Sequence, residues 1–495
     1  MIISILLALL SFFSSPGFTK GPESGEALIL QSISAMGGEE RLRSISSLSV
    51  QGIGHSYFLE QSERPEGPWF VNYEQFSQLR DYKRNRVYVE KETKNILQPG
   101  WQKTSLVFAD STLAVKSSGD LVPGRRVLEG EMREILDYAP EQLLLAALEA
   151  EELQTLSDTV IQGVNHHSIG YNYKGTRVNL FLNSNTSLPS LIRSFRKYPQ
   201  DIMWSVWGEV RNDLYLSAWT LSSDKLLYPL QYNLYRNGQP FREFTIVDLK
   251  VNEAINESLF EIPEDLKERY AAQPVFPIKD LPLGRPGEEP KELAPSIFLI
   301  SGFWNITLVA QEDGVVMLEA PISEEYTSQA MEKAESLFPS KKLKGVVSSS
   351  DAWPHIGGMA AVVKHRLPVF THHLNEPILR RLLASSQSGG TEASPARLSL
   401  NPVKEKMKIG AGDNRMELYP VGGESSERMT MVYFPEHKLL YASDLIQKNS
   451  DGSFFQKAYL AELVAAIEKN RLEVKQVFAM HTGLIPISEI IEVLK

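Results

Sequence analysis

The chain has 495 residues, of which 42% are hydrophobic, with 51 basic and 61 acidic side chains and a formal charge of -10. That length suggests roughly two to four domains, and an acidic balance with no basic stripe argues against a nucleic-acid partner. There is no cysteine, which excludes disulfides, thiolate metal sites, a cysteine nucleophile and a lipid-anchored amino-terminal cysteine; any metal must be held by the nine histidines and the carboxylates.

Residues Ile2 to Phe13 form an apolar run, followed by the small and helix-breaking residues Ser14 to Gly17. The run has signal-peptide length and is short for a membrane span. It lacks a positive n-region and an Ala-X-Ala site, so an uncleaved anchor is the alternative reading. The expectation is a signal peptide over 1–20 and a secreted or periplasmic protein. No later stretch is long and apolar enough to cross a bilayer.

From Gly25 to Arg43 the positions Ala27, Leu28, Leu30, Ile33 and Met36 keep helical spacing, and Gly37 and Gly38 end it. The period then shortens. Leu48 to Gly54, Arg86 to Glu90 and Thr104 to Phe108 read as strands, and Asp137 to Leu156, rich in Leu, Ala and Glu, reads as a helix. Alternating segments follow at 159–173, 177–182, 202–221, 228–236 and 241–251. Asn237 and Gly238 between the last two are a type I′ hairpin signal. The expectation for 25–270 is therefore an α+β domain built on a large antiparallel sheet. Residues 271–295 carry Pro274, Pro277, Pro282, Pro286 and Pro290 and read as a semi-stiff linker.

Residues 296–495 alternate differently. Strands are expected at 297–300, 306–310, 315–319, 345–347, 368–371, 417–421, 429–434, 438–442 and 477–480, and helices at 323–338, 359–364, 375–383, 458–470 and 486–494. Residues 385–395 read as a Ser/Gly-rich loop. Hairpins, then strand-helix units, then hairpins and strand-helix again is the order of two packed sheets with helices outside.

Within that order, Ser348 to Gly358 holds most of the expected chemistry. Polar and small residues leave an apolar strand, His355 stands directly before Ile356, Gly357 and Gly358, and a helix follows. Loops at strand ends are where α/β folds build sites, and paired glycines let the backbone turn tightly beside the imidazole. The alternative is a loop whose histidine only packs against Trp353.

Strand, polar loop, His-Ile-Gly-Gly and helix resemble the metal-binding segment of the metallo-β-lactamase fold. The 433–444 stretch, which ends on Asp444, and the strand-end His481 resemble later pieces of the same family. The resemblance covers roughly 296–495 and implies an αββα sandwich. In that family His-X-His-X-Asp-His precedes the glycines. Aligned on the last histidine, its four ligand positions fall on Ser350, Ala352, Pro354 and His355, and only the last is kept. The later-loop histidine falls in Gly422 to Glu427, which has none. The bridging aspartate matches Asp444 and the carboxy-terminal histidine matches His481. The amino-terminal domain resembles, in topology, the half-barrel of periplasmic lipoprotein carriers, with Ser258 to Pro263 as a closing segment.

What the resemblance implies is a degenerate site: a metal on His355, Asp444 and His481, with Asp351 and His355 as catalytic candidates and Ser350, Trp353, Glu424, Ser425 and Ser426 lining the cleft. Two imidazoles and a carboxylate suit zinc, or ferrous iron. The expected cofactor is one divalent ion, zinc first, then iron or manganese, with a metal-free protein as the other outcome. Each residue also has a structural reading: Asp444 as a cap, His481 bonded to a carbonyl, His355 paired with Asp444. His372 and His373 are expected at the surface. The functional expectation is a hydrolase of ester, amide or phosphoester bonds. The alternatives are an inactive binding protein on the same fold, or a lipid or lipoprotein binder acting through the half-barrel. A small molecule or lipid is the expected ligand, with no protein partner specified.

Overall fold

A computed structural model describes residues 24–59, 67, 69–95, 100–385, 395–449 and 451–495. The expected signal segment and most of the expected Ser/Gly-rich loop lie outside the described residues.

The chain opens with α1 (Gly25–Met36), capped by the Ser24 side chain, which accepts from the Ala27 N–H at 3.2 Å. Gly37, at φ 128°, ends it, and a second short helix, α2 (Glu39–Ser44), follows. Six strands come next: β1 (Ser47–Phe58), β2 (Phe70–Asp81), β3 (Arg86–Lys94), β4 (Gln102–Ala109), β5 (Thr112–Lys116) and β6 (Val122–Pro123). Two helices, α3 (Arg126–Asp137) and α4 (Pro140–Leu148), lead into β7 (Gln154–Ile161), β8 (Val164–Tyr173), β9 (Thr176–Asn183), β10 (Pro189–Lys197), β11 (Glu209–Leu221), β12 (Leu227–Arg236) and β13 (Gln239–Val251). All form one 13-stranded sheet, joined where β1 pairs with β13. Asn237 (φ 49°) and Gly238 (φ 81°) make the expected hairpin turn between β12 and β13.

Two expectations are corrected. The helix expected over 137–156 is broken: Asp137 ends α3, and α4, started by Pro140 in its first turn, stops at Leu148. Gln154 to Leu156 pair with β8 instead, so ladder bonds override a helix-favouring composition. The strand expected from Ile202 begins only at Glu209, because Trp204 and Trp207 sit in a buried turn before it.

One face of this sheet is covered by α1 and α4, whose Leu28, Ile29, Ile33, Leu143 and Leu144 join Val50, Ile169 and Leu180 in a common core. Along β4 the pleat alternates cleanly. Leu106 and Phe108 face Met132 and Leu136 of α3, and Val107 and Ala109 face Phe260, Ile262 and Leu266 on the other side. Leu266 belongs to α5 (Glu264–Ala271).

The second half holds two further sheets. The first consists of β14 (Lys291–Ala294), β15 (Ile297–Ile300), β16 (Ile306–Gln311), β17 (Gly314–Leu318), β18 (Leu343–Ser348), β19 (Val369–His372) and β20 (Leu400–Val403) in that order. Pairing is antiparallel up to β17 and parallel from there on. Between these strands lie α6 (Glu324–Leu337), the short α7 (Trp353–Ile356), α8 (Met359–Lys364) and α9 (Glu376–Leu383). β14 falls inside the stretch expected as linker. The other sheet runs β21 (Met407–Ile409), β22 (Met416–Pro420), β23 (Thr430–Phe434), β24 (Leu439–Tyr441), β25 (Gln476–Ala479) and β26 (Thr482–Pro486). Only β24 and β25 pair in parallel. The helices α10 (Lys457–Lys469) and α11 (Ile487–Leu494) accompany it.

Three apolar layers hold these sheets. Val316, Leu318 and Val347 meet Leu418, Val432 and Phe478 between the sheets. Val315, Met317 and Val346 face the helices α6 to α9, while Val477 and Ala479 face α10 and α11. The strands are therefore apolar on both sides, which is why they read as continuous runs. The helix-side layer also takes in Val210 of β11 and Trp204 and Trp207 of the turn before it, so the two halves share a core.

Candidate metal centre

Four strand ends converge. Glu319 follows β17, Ser349 to His355 follow β18, Asp444 lies just beyond β24, and His481 lies just beyond β25. β17 and β18 are parallel neighbours, as are β24 and β25. Parallel strands bring their carboxyl ends to one edge, and that is where open sheets bind ligands.

His355, Asp444 and His481 present ligating atoms that all lie within 4.8 Å of one another. His481 Nε2 is 3.0 Å from Asp444 Oδ1, and His355 Nε2 is 3.3 Å from Asp444 Oδ2. Gln447 Nε2 donates to Asp444 Oδ1 at 2.7 Å and fixes that carboxylate. On its far side, His355 Nδ1 lies 3.7 Å from Glu319 Oε2. Glu319 is wholly buried and accepts from Tyr441 Oη at 2.8 Å and from the Ser349 hydroxyl and N–H. Ser349 Oγ and Ser443 Oγ bridge the two sheets at 2.7 Å. Glu319 (φ 75°) and Ser443 (φ 53°) both occupy the left-handed region, a strained conformation that a functional cluster commonly retains.

The electrostatics follow from the geometry. Burial alone would push the His355 imidazole down, but the Asp444 and Glu319 carboxylates overcome it and raise it to about 10. Burial would raise the Asp444 carboxyl, and the two histidines instead hold it far below the usual carboxylate range. Asp351 is half-buried, and desolvation pushes its carboxyl up to about 7 against the opposing pull of Arg428.

Neither ring nitrogen of His355 has a hydrogen-bond partner of good geometry, although the side chain is 1% exposed. A buried imidazole left in that state suits a ligand role, and two imidazoles with one carboxylate are a fitting donor set for zinc or ferrous iron.

The remaining expected residues divide. Ser350, Asp351, Ser425 and Asp444 line a small cavity of about 20 Å³ together with Arg428 and Gln447, room for one water. Trp353 does not line it. Its ring meets Trp204 and Trp207 at centroid distances of 4.9 and 5.0 Å, since it is the first residue of α7 and faces the 13-stranded sheet. Glu424 is exposed, and Ser426 turns away to donate to Glu462 at 2.5 Å. His372, expected at the surface, is 4% exposed. Its Nδ1 accepts from the Leu374 N–H at 3.3 Å, and burial, His373 and Arg428 push its pKa down to about 4. Glu319, Ser349, Arg428 and Gln447 were given no role by the sequence. An acid closing an otherwise apolar strand was the one legible sign, at Glu319.

His-Ile-Gly-Gly has a different cause from the expected tight turn. Gly357 (φ -59°) and Gly358 (φ -91°) have ordinary backbone angles. A Cβ on Gly357 would lie 2.5 Å from the Ile322 carbonyl oxygen, and one on Gly358 would lie 1.8 Å from Thr327 Oγ1. The glycines let the turn carrying His355 lie directly on the start of α6.

No protein-family model matches the chain, and no curated protein matches it. Its structural neighbours are metallo-β-lactamase-fold proteins. A metallo-β-lactamase from Pontibacter korlensis shares 17% identity over 42% of this chain and 96% of its own, with a TM-score of 0.33. One from Erythrobacter litoralis shares 18% over 43% and 97%, also at 0.33. The inverting sec-alkylsulfatase Pisa1 from Pseudomonas sp. shares 17% over 43% and 40%, at 0.30.

Proposed function

We propose that the chain is a secreted or periplasmic protein with an αββα metallo-β-lactamase-like domain that begins at β14 and runs to 495, joined through 272–290 to a half-barrel over 25–271. Its candidate active site is a mononuclear metal centre on His355, Asp444 and His481, and its reaction is hydrolysis of an ester, amide or phosphoester. The observation that carries this reading is the wholly buried His355, lacking well-formed hydrogen bonds on both ring nitrogens, within ligating distance of Asp444 and His481. A divalent ion held there, zinc first, would supply Lewis-acid chemistry and acidify water.

The chain's own residues supply the rest. Glu319 orients the His355 ring from behind, as outer carboxylates do for ligating histidines. Gln447 fixes Asp444. Asp351, with a carboxyl near neutrality and a place on the cavity wall, is the candidate to take and return a proton. Arg428 on the same wall offers a positive charge to an anionic oxygen.

The test is elemental analysis of untagged protein purified without chelators, beside His355→Ala/His481→Ala. About one equivalent of metal, lost in the variant, is expected; equal metal content in the two sinks the site.

A second reading rests on a different observation. His355 protonated between Asp444 and Glu319 places a positive charge against both carboxylates without any ion, and the adjoining cavity admits only water. On this reading the domain keeps the architecture without the ion and acts by binding. Absence of metal from both proteins above supports it.

A further inference from the structure

A second and larger cavity, of about 330 Å³, opens where the 13-stranded sheet meets the helices α7 and α9. Its walls include Trp204, Trp207 and Trp353, together with Arg236, Arg381 and Glu209. The volume is that of a small-molecule site. Trp204 and Trp207 both meet Trp353 edge to face, so the aromatic wall is already assembled and loses little entropy on binding.

The polar groups are one-sided. Arg236 Nε and Trp207 Nε1 are buried and have no hydrogen-bond partner. Both are donors only, and a buried donor left unpaired is costly. Arg236 is 2% exposed, stacks 3.7 Å from the Phe241 ring centroid, and has Glu134 only at 3.8 Å. Arg381 lies 5.6 Å over Trp207. Two guanidinium groups against one carboxylate leave the walls net positive.

We propose that this cavity binds a small organic anion with a flat apolar body, an aryl carboxylate or sulfonate in class. Its body lies against the tryptophans, and its anionic oxygens accept from Trp207 Nε1 and Arg236 Nε once a small shift of those side chains brings the two buried donors to the cavity surface. Glu209, facing the same space, limits how much negative charge the ligand carries. The site is separate from the candidate metal centre, and its occupancy requires no metal.

The test is fluorescence titration of the full chain with 8-anilinonaphthalene-1-sulfonate, beside N-phenyl-1-naphthylamine, its neutral counterpart. One saturable equivalent of the sulfonate is expected, with the neutral compound at least roughly tenfold weaker. Trp207→Phe removes the donor and keeps the ring, and is expected to weaken the sulfonate about tenfold while leaving the neutral compound alone. Arg381→Gln is expected to weaken the sulfonate and Glu209→Gln to tighten it. A gain of affinity in Glu209→Gln that stays at one saturable equivalent and leaves the neutral compound unmoved is distinct from the multiple, non-saturating dye binding of a loosened chain, so that variant decides the matter even where Trp207→Phe folds poorly. Equal binding of the two compounds, no saturable sulfonate binding, or sulfonate affinity unmoved by Arg381→Gln and Glu209→Gln would each overturn the proposal.

Discussion

Trp353 and His355 belong to the same four-residue helical turn and serve different neighbours. The Trp353 ring stands edge-on to Trp204 and Trp207 in the turn that leads into β11, while His355 Nε2 lies 3.3 Å from Asp444. A change on one side of this turn is one short backbone step from the other.

Trp353→Ala is therefore expected to do two things. It empties a buried aromatic contact and lowers the unfolding free energy by about 3 kcal/mol, read by urea denaturation. It also loosens the turn that carries His355, so metal is retained less tightly against a competing chelator. Trp353→Phe keeps most of the contact, and its metal retention is expected to stay near that of the parent protein.

Glu319 holds three donors, from Ser349 and Tyr441. Removing it leaves them buried and unpaired. Glu319→Ala is expected to cost about 3–5 kcal/mol and Glu319→Gln distinctly less, since the amide oxygen still accepts. Chemical denaturation of the pair measures the difference; equal costs would show that charge, rather than hydrogen-bonding capacity, is what the site needs there.

Asp351 predicts a pH effect. Its carboxyl moves from 3.8 to about 7 on folding, so between those values the folded chain keeps a proton that the unfolded chain releases. Stability must fall as pH rises through that window and level off above it. The slope from one such group is at most about 1.4 kcal/mol per pH unit. In metal-free protein, Asp351→Asn is expected to remove this contribution, gaining on the parent from pH 4 to 7 and holding a constant lead above. A difference that does not change across that range would place Asp351 in water.

Gly358→Ala tests the packing of the His355 turn on α6. The added Cβ would meet Thr327 Oγ1 at 1.8 Å and the Ser323 carbonyl oxygen at 2.7 Å. The hydroxyl can rotate only by giving up its bond to the Pro321 carbonyl, and the Ser323 carbonyl cannot move without disturbing the start of α6. A loss of about 3 kcal/mol is expected, and Gly358→Ala/Thr327→Ala is expected to recover only part of it, because the Ser323 carbonyl stays.

Much of the layout was legible because it is local. Ser323 caps α6 where the pattern begins, Asn237 and Gly238 turn the last hairpin of the first sheet, and the apolar runs of 315–318 and 477–479 announce strands buried on both faces. Residues that lie just past such strands, Asp444 and His481, could be singled out as they stood. Errors arose where a local preference lost to a distant partner. Gln154 to Leu156 look helical and are drawn into the ladder by β8. His372 looks like a surface residue and is buried at the base of a turn.

By itself, then, the sequence located most strands and the longer helices of the second half, though not β14, β20, β21, β26 or α7, and it singled out the three residues that can ligate a metal and excluded any cysteine-based chemistry. Those depend on residue type and short-range periodicity. Only the tertiary structure decided that Glu319 stands behind His355, that Arg428 shares a cavity with Asp351, that Trp353 belongs to the contact between the sheets, and that Gly357 and Gly358 are needed for closeness and not for a turn. Each of these relations joins residues from different elements, and what fixes them is the exclusion of water from a shared core, which no single stretch of the chain records.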